Sequence, residues 1–270
     1  MRRHFHKMHG LGNDFVIVDA RPETGNAPFD VKPSLAKAIA DRRTGVGCDQ
    51  LIVLEPSDTA DLKMRIWNSD GGEVESCGNA TRCVVQLTGA TRIDSDGGLL
   101  EGENLGAEVE VSFGEPRFAW NEIPLAYAMD TAALPMAWDE LEQPMALNVG
   151  NPHLVFFVPD ARDVPLETLG PRIENDPAFP ERINVNVATY VGNRLKLRTF
   201  ERGAGETLAC GTGACASAVA AIVTKRAGSP VAVDMTGGSL TVSWAPGQPI
   251  RMRGTATHVF EGELDLDALQ

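Results

Sequence analysis

The chain of 270 residues is 43% hydrophobic and carries a formal net charge of −13. That length supports one large or two ordinary domains with real cores, and the acidic balance argues against nucleic acid or an anionic membrane surface as partner. The five cysteines, an odd number at irregular spacing with no C-x-x-C, read as reduced thiols rather than a disulfide framework or a structural metal site, so no metal is expected.

The opening MRRHFHKMHG is basic, but no apolar region with a small-residue cleavage site follows, so it does not read as a signal peptide. FVIVDA (15–20) is strand-like, and PSLAKAIADRR (33–43) is an amphipathic helix ending before Gly45. Strand-like LIVLEP (51–56) and LKMRIWN (62–68) lead to a second helix, GNATRCVVQLT (78–88), stopped by Gly89. After strand-like AEVEVSF (107–113), the stretch from Glu115 to Pro144 carries Pro116, Pro124, Pro135 and Pro144 and reads as an inter-domain crossover. HLVFFV (153–158), RLKLRTF (194–200) and IRMRG (250–254) are strand-like again. Between the last two, GTGACASAVAAIVTKRA (211–227) reads as a helix ending at Gly228. It is apolar around nearly its whole circumference, so it should be buried on all sides, as a helix wrapped by strands would be. Its apolar run, ACASAVAAIV, is about half the roughly 20 residues a membrane span requires, and a cytoplasmic protein is expected.

The most informative pattern is an internal repeat. WNSDGGEVESCGNATRC (67–83) aligns with FERGAGETLACGTGACA (200–216), setting Trp67 on Phe200, Glu73 on Glu206, Cys77 on Cys210 and Gly78 on Gly211. GNDF (12–15) and GNPH (150–153) echo each other, as do SDGGLL (95–100) and MTGGSL (235–240). Each half supplies strand, Gly-rich turn, cysteine and helix.

A cysteine at a helix threshold feels the positive end of the macrodipole and the N–H groups of the first turn. Both favour thiolate, so a pKa below the reference of about 8.5 is expected for Cys77 and Cys210. The same N–H groups make an anion site, and glycine at 78 and 211 admits a carboxylate close to the backbone. Two such ends facing one carboxylate would set a sulfur on each side of the adjacent Cα. Inverting a stereocentre requires that: one group removes the proton and the other returns it from the far face. No lysine sits in a glycine-rich phosphate-binding context, so no pyridoxal phosphate and no other cofactor is expected. A racemase or epimerase is the leading reading, and a non-catalytic two-lobed amino-acid binder competes with it. Cys48, Cys83 and Cys215 read as core, Glu73 and Glu206 as loop braces. No role is assigned to His4, His6, His9 or His258.

KMHGLGNDFVIVDAR, GVGCDQLIVLEP, WNSDGGEVESCGNATRC, GNPH, FPERINVN and FERGAGETLACGTGACA, in this order over essentially the whole chain, resemble the motifs of the diaminopimelate epimerase family. That resemblance implies cofactor-independent interconversion of LL- and meso-2,6-diaminopimelate, for lysine and cell-wall synthesis. It implies an α+β fold of two pseudo-symmetric domains, each a mixed or antiparallel strand barrel around a central apolar helix, with the active site in the cleft between them. The expected domains are 1–117 plus 258–270, carrying Cys77, and 118–257, carrying Cys210. The resemblance makes Cys77 and Cys210 the acid/base pair, with Gly78–Asn79 and Gly211–Thr212 binding the reacting carboxylate. Asn13, Gln50, Asn68, Asn151, Asn184, Glu201 and Arg202 would line the pocket, with the asparagines and Arg202 gripping the distal amino-acid end, and His153 and Glu201 would support the chemistry. The expected partner is the small-molecule substrate, and family members pair as homodimers. Two positions depart from the family pattern: Cys48 stands where an aromatic residue is more usual, and Ala80 replaces the glycine of the CGNG turn.

Overall fold

The computed structural model describes residues 2–75 and 77–269. The chain divides into two units, Met1–Val111 with Gly254–Gln270, and Ser112–Arg253. In the first, β1 (Arg2–Gly10) folds back on β2 (Asn13–Asp19) through Leu11 and Gly12, both at positive φ. Helix α1 (Pro33–Ala40) carries the chain over to β3 (Gln50–Glu55), parallel to β2, and β4 (Leu62–Asn68) returns antiparallel. The short β5 (Glu73–Val74) pairs back on β4. Helix α2 (Gly78–Thr88) then crosses to β6 (Arg92–Ser95), parallel to β4, followed by β7 (Gly98–Asn104) and β8 (Val109–Ser112).

The second unit begins with a small hairpin, β9 (Ala137–Trp138) and β10 (Leu141–Glu142). It then repeats the first unit's order of pairings. β11 (Met145–Asn148) is antiparallel to β12 (Pro152–Phe157), and α3 (Leu166–Glu174) leads to β13 (Asn184–Val191), parallel to β12. β14 (Arg194–Glu201) is antiparallel to β13, with the short β15 (Gly205–Thr207) paired on it. Helix α4 (Gly211–Val223) crosses to β16 (Val231–Met235), parallel to β14, and β17 (Gly238–Ser243) and β18 (Arg251–Gly254) follow. Back in the first unit, β19 (Thr257–Asp265) runs antiparallel to β1, and a short 3-10 turn, Leu266–Leu269, follows it.

The fold is α+β, and the repeat in sequence is a repeat in hydrogen-bonding pattern. Trp67 opposes Glu73 as Phe200 opposes Glu206. Arg65 Nε donates to Glu73 Oε1 at 2.7 Å, and Arg198 Nε to Glu206 Oε1 at 2.7 Å. The two glutamates are therefore braces across equivalent strands.

Helix α4 packs against strands β11–β14, β16 and β17, and Gly213 to Ala221 are buried. Its small side chains let six strands approach one helix closely, which is why its alanines leave no polar face. Helix α2 packs against β1, β2, β7 and β19 but is not wholly apolar. Arg82 is fully buried, its Nη2 donating to Asn79 Oδ1 at 2.8 Å and its Nε to the Thr255 carbonyl at 3.2 Å. A buried guanidinium is tolerable only with such partners.

Several boundaries differ from the sequence expectation. Helix α1 stops at Ala40 because Asp41 Oδ1 accepts the N–H groups of Arg43 and Thr44 and turns the chain. Helix α4 stops at Val223, well before Gly228, where Lys225 adopts positive φ. Helix α3 escapes a sequence reading because Gly170 and Pro171 lie within it. Glycine is required there, since a Cβ at 170 would stand 2.4 Å from the Phe200 ring. The proline-rich stretch from Glu115 to Pro144 belongs to the second unit, and its Ile123, Leu125, Leu134, Trp138 and Leu141 enter that unit's core.

Candidate active site

In the first unit the reactive elements converge on the start of α2. Cys77 is the N-cap, extended at φ −149° and ψ 111°, and its carbonyl accepts the Thr81 N–H at 2.9 Å. It is half-buried, and its Sγ lies 3.8 Å from Asn13 Oδ1. The same oxygen accepts from Asn79 Nδ2 at 3.2 Å, while Asn13 Nδ2 donates to Asp49 Oδ2 at 3.0 Å. The β1–β2 turn thus presents Asn13 to the helix threshold. Gly10 keeps that approach open, because a Cβ there would meet Arg82 Nη2 at 2.9 Å and Asn79 at 3.3 Å. Gln50 and Asn68 sit opposite each other on β3 and β4, joined by Gln50 Nε2 to Asn68 Oδ1 at 2.9 Å. Gln50 Oε1 is a buried acceptor with no partner among the described residues. Behind Asn13, Asp14 binds Lys7 Nζ (2.5 Å) and Arg42 (2.7 Å). Burial alone would raise the Asp14 pKa, but the Arg42 and Lys7 hydrogen bonds outweigh it and hold the carboxyl well below its usual range.

The second unit places Cys210 as N-cap of α4, at φ −112° and ψ 109°. It is buried, and its Sγ accepts the Gly213 N–H at 3.3 Å and lies 3.5 Å from Thr212 Oγ1. From there a hydrogen-bonded chain runs inward. Asn151 Nδ2 donates to Thr212 Oγ1 at 3.4 Å, Asn151 Oδ1 stands 2.8 Å from His153 Nε2, and His153 Nδ1 stands 3.0 Å from Asn186 Nδ2. Asn186 Nδ2 also donates to the Leu154 carbonyl, and its Oδ1 accepts from Thr199 Oγ1 at 3.0 Å. These neighbours fix the imidazole tautomer: Nδ1 accepts from Asn186, so Nε2 carries the proton and donates to Asn151. Burial, aided by the Arg202 charge, lowers the His153 pKa to about 3, so the ring is neutral at physiological pH. In that form it holds the Asn151 carboxamide by a hydrogen bond.

Asn184 Oδ1 accepts the Arg202 N–H at 3.0 Å, and its Nδ2 donates to the Pro152 carbonyl at 2.8 Å. The Arg202 side chain is exposed, with Nη1 donating to the Glu181 carbonyl at 3.0 Å. Buried Glu174 braces this loop by accepting the Gly203 N–H at 2.7 Å.

One expectation reverses here. The Cys210 thiol is pushed well above its ordinary pKa, first by burial and then by the Glu201 carboxylate, while Thr212 and the Gly213 N–H act only in part against them. The helix end is present, but loss of water and a nearby negative charge outweigh it. Burial likewise pushes Cys48 up to about 11 and Cys83 up to about 12, and both sit in the core, as does Cys215.

Within each unit the predicted residues therefore gather: Asn13, Cys77, Gly78 and Asn79 around one helix start with Gln50 and Asn68 on neighbouring strands, and Asn151, His153, Glu201, Cys210, Gly211 and Thr212 around the other with Asn184 and Arg202 beside them. Sequence reasoning missed Asp49, Arg82, Asn186 and Thr199. A usable signal existed for Asn186, which stands two residues from Asn184 in NVNVATY, so that both amides share one strand face.

The chain is similar to known proteins along nearly its whole length. The family description "Diaminopimelate epimerase" matches residues 5–119 and again residues 145–259. A diaminopimelate epimerase of Rhizorhabdus wittichii is 62% identical over 271 residues, covering 99% of this chain and 97% of the relative. One from Sphingopyxis alaskensis is 60% identical over 267 residues, covering 98% of each. Among solved structures, a probable proline racemase from Agrobacterium radiobacter superposes with a TM-score of 0.69 at 12% identity, covering 98% of this chain and 93% of that one, a likeness of fold.

Proposed function

The chain belongs to the diaminopimelate epimerase family, and from that premise we infer that it interconverts LL- and meso-2,6-diaminopimelate without a cofactor, using Cys77 and Cys210 as a two-base pair. The observation that carries this reading is the recurrence, in register, of a cysteine N-cap on a strand-enclosed helix. In the proposed reaction the substrate's α-carboxylate is held by N–H groups of the two helix first turns, Gly78–Asn79 and Gly211–Thr212, whose orientation favours an anion. One sulfur removes the α-proton, and the other delivers a proton to the opposite face.

Cys210, buried beside Glu201, holds its proton in the resting protein and serves as the acid when Cys77 is the base. The roles exchange in the reverse direction. Dipoles of the helix ends stabilise the developing carbanion in a site closed to water. Burial and Glu201 together raise the Cys210 proton affinity, and neutral His153 is a positioning residue that acts through Asn151 and Thr212. Asn13, Gln50, Asn68, Asn151, Asn184 and Arg202 bind the substrate, fixing which of its two stereocentres reacts. The orphaned Gln50 Oε1 suits an ammonium donor of that substrate. A homodimer in the cytoplasm completes the proposal. No helix among the described residues is long and apolar enough to cross a membrane.

Incubation with LL-diaminopimelate in heavy water tests the reading. Deuterium should enter at one α-carbon, and Cys77→Ala and Cys210→Ala should each abolish it. Exchange with proline instead, or undiminished exchange in either variant, would sink the assignment.

A further inference from the structure

The first and last strands of the first unit carry a group of side chains that the reaction does not use. β1 supplies His4 and His6, two residues apart and so on one face, and β19 supplies Glu261 directly opposite His6. The β1–β19 register slips between Lys7 and Met8, so that Met8 opposes His258 while Lys7 opposes Phe260. The bulge turns the His258 ring toward His6, with ring centroids 5.4 Å apart. His6 Nδ1 then lies 3.2 Å from His258 Nε2 and 3.6 Å from Glu261 Oε2, and the three ligand atoms all fall within 4.8 Å of one another.

We propose that His6, His258 and Glu261 form a binding site for a divalent transition-metal ion such as Zn2+, which staples the last strand of the chain to the first. Two of the three separations fit that use as they stand, and the third, His258 to Glu261, is within 4.8 Å. Ligands at ~2.0–2.1 Å from a tetrahedral ion are about 3.3 Å apart, close to the observed 3.2 and 3.6 Å. Hydrogen bonding alone satisfies the arrangement less well, because one His6 nitrogen faces both a second imidazole and a carboxylate, and a single proton serves only one of them. One cation serves all three. Imidazole with carboxylate is a donor set suited to Zn2+, Ni2+ or Cu2+ rather than to Mg2+ or Ca2+. His4 Nε2, 3.8 Å from Glu261 Oε2 and with its ring 4.8 Å from that of His6, is placed to hold the carboxylate from outside. The ion's other positions face solvent, since His258 and Glu261 are exposed. None of these residues belongs to the candidate active site, so the ion's effect is on stability: β19 returns to this unit only after the whole second unit has been made, and an ion bound to the paired strands alone favours the folded state by mass action.

The test uses the full chain, stripped with chelator and titrated with Co2+ and then Zn2+. One equivalent of Co2+ should bind with a visible spectrum free of thiolate charge-transfer bands, and Zn2+ should raise Tm. His6→Gln, His258→Gln and the more exposed Glu261→Gln should each weaken Co2+ binding at least about tenfold, the loss that removing even a hydrogen-bond partner of a ligand brings. The three should abolish the Zn2+ shift in Tm while leaving metal-free epimerase activity unchanged. Equal Co2+ affinity in wild type and all three variants, or binding accompanied by thiolate bands, would overturn the proposal.

Discussion

The two halves share one hydrogen-bonding plan but fill it differently behind the cysteine. In the second unit the residues beneath the start of α4 are His153, Asn186 and Thr199, linked by hydrogen bonds. The strand registers equate them with Phe15, Ile52 and Ile66 of the first unit, all fully buried. Where one half carries a polar relay, the register-equivalent residues of the other are hydrocarbon. The residue pair Gly213 and Ala80 differs at the same point. A Cβ at 213 would stand 2.5 Å from Asn186 Oδ1 and 2.8 Å from Thr199 Oγ1, whereas the first unit buries an alanine at 80 and has isoleucines at the positions equivalent to Asn186 and Thr199. The duplication preserved the backbone device and let the two cysteine environments diverge. Cys210 is sealed and held as thiol, and Cys77 is half-buried beside carboxamides.

The largest expected effect leaves the two halves equal. Replacing either cysteine by alanine should cost at least about 10²–10⁴-fold in epimerisation, the range of a lost acid/base group, read as the rate of α-deuterium incorporation. Retained turnover in one variant only would show that the halves are not a pair.

Substitution at the diverged positions should separate them. Gly213→Ala should destabilise the protein by about 1–3 kcal/mol, as overpacking does. Ala80→Gly should cost only about 0.5–1 kcal/mol, the helix-interior penalty of glycine. Urea denaturation of both variants checks this, and equal losses would refute the account of the asymmetry.

His153 adds a pH signature that the first unit lacks at Phe15. Its folded-state pKa of about 3 lies below the ordinary 6.5, so the unfolded chain binds the extra proton between those values. Its contribution is complete above pH 6.5 and is lost as pH falls toward 3. The stability difference between wild type and His153→Gln should therefore shrink over that window. A difference independent of pH would mean that the ring is not held neutral.

Glu201→Gln should shift the alkylation profile of the Cys210 thiol to lower pH, because it removes the charge opposing thiolate. Peptide-resolved alkylation as a function of pH distinguishes the two sulfurs. The smallest effects belong to the matched braces. Glu73→Gln and Glu206→Gln should each cost about 0.2–1 kcal/mol, as part-exposed ion pairs do, and chemical denaturation should find them alike.

Much of the fold is legible in the chain itself. Strands 62–68, 153–158 and 194–200 show their burial pattern within a residue or two, and GNATRCVVQLT marks α2 from Gly78 to its glycine stop. Helix α3 is hidden because contact with Phe200, not local propensity, dictates Gly170. β19 is hidden because its partner, β1, lies more than 240 residues away along the chain.

The site divides in the same way. Which residues stand at the two helix starts can be read from the chain alone, since the repeat of WNSDGGEVESCGNATRC in FERGAGETLACGTGACA makes Cys77 and Cys210 equivalents whatever surrounds them. Only the tertiary structure decided their chemistry. The helix-end argument gave both thiols a lowered pKa, but burial of Cys210 and the approach of Glu201 reverse the sign there. A pKa depends on solvent exclusion and on charges brought close in space, and neither is written in the local order of residues.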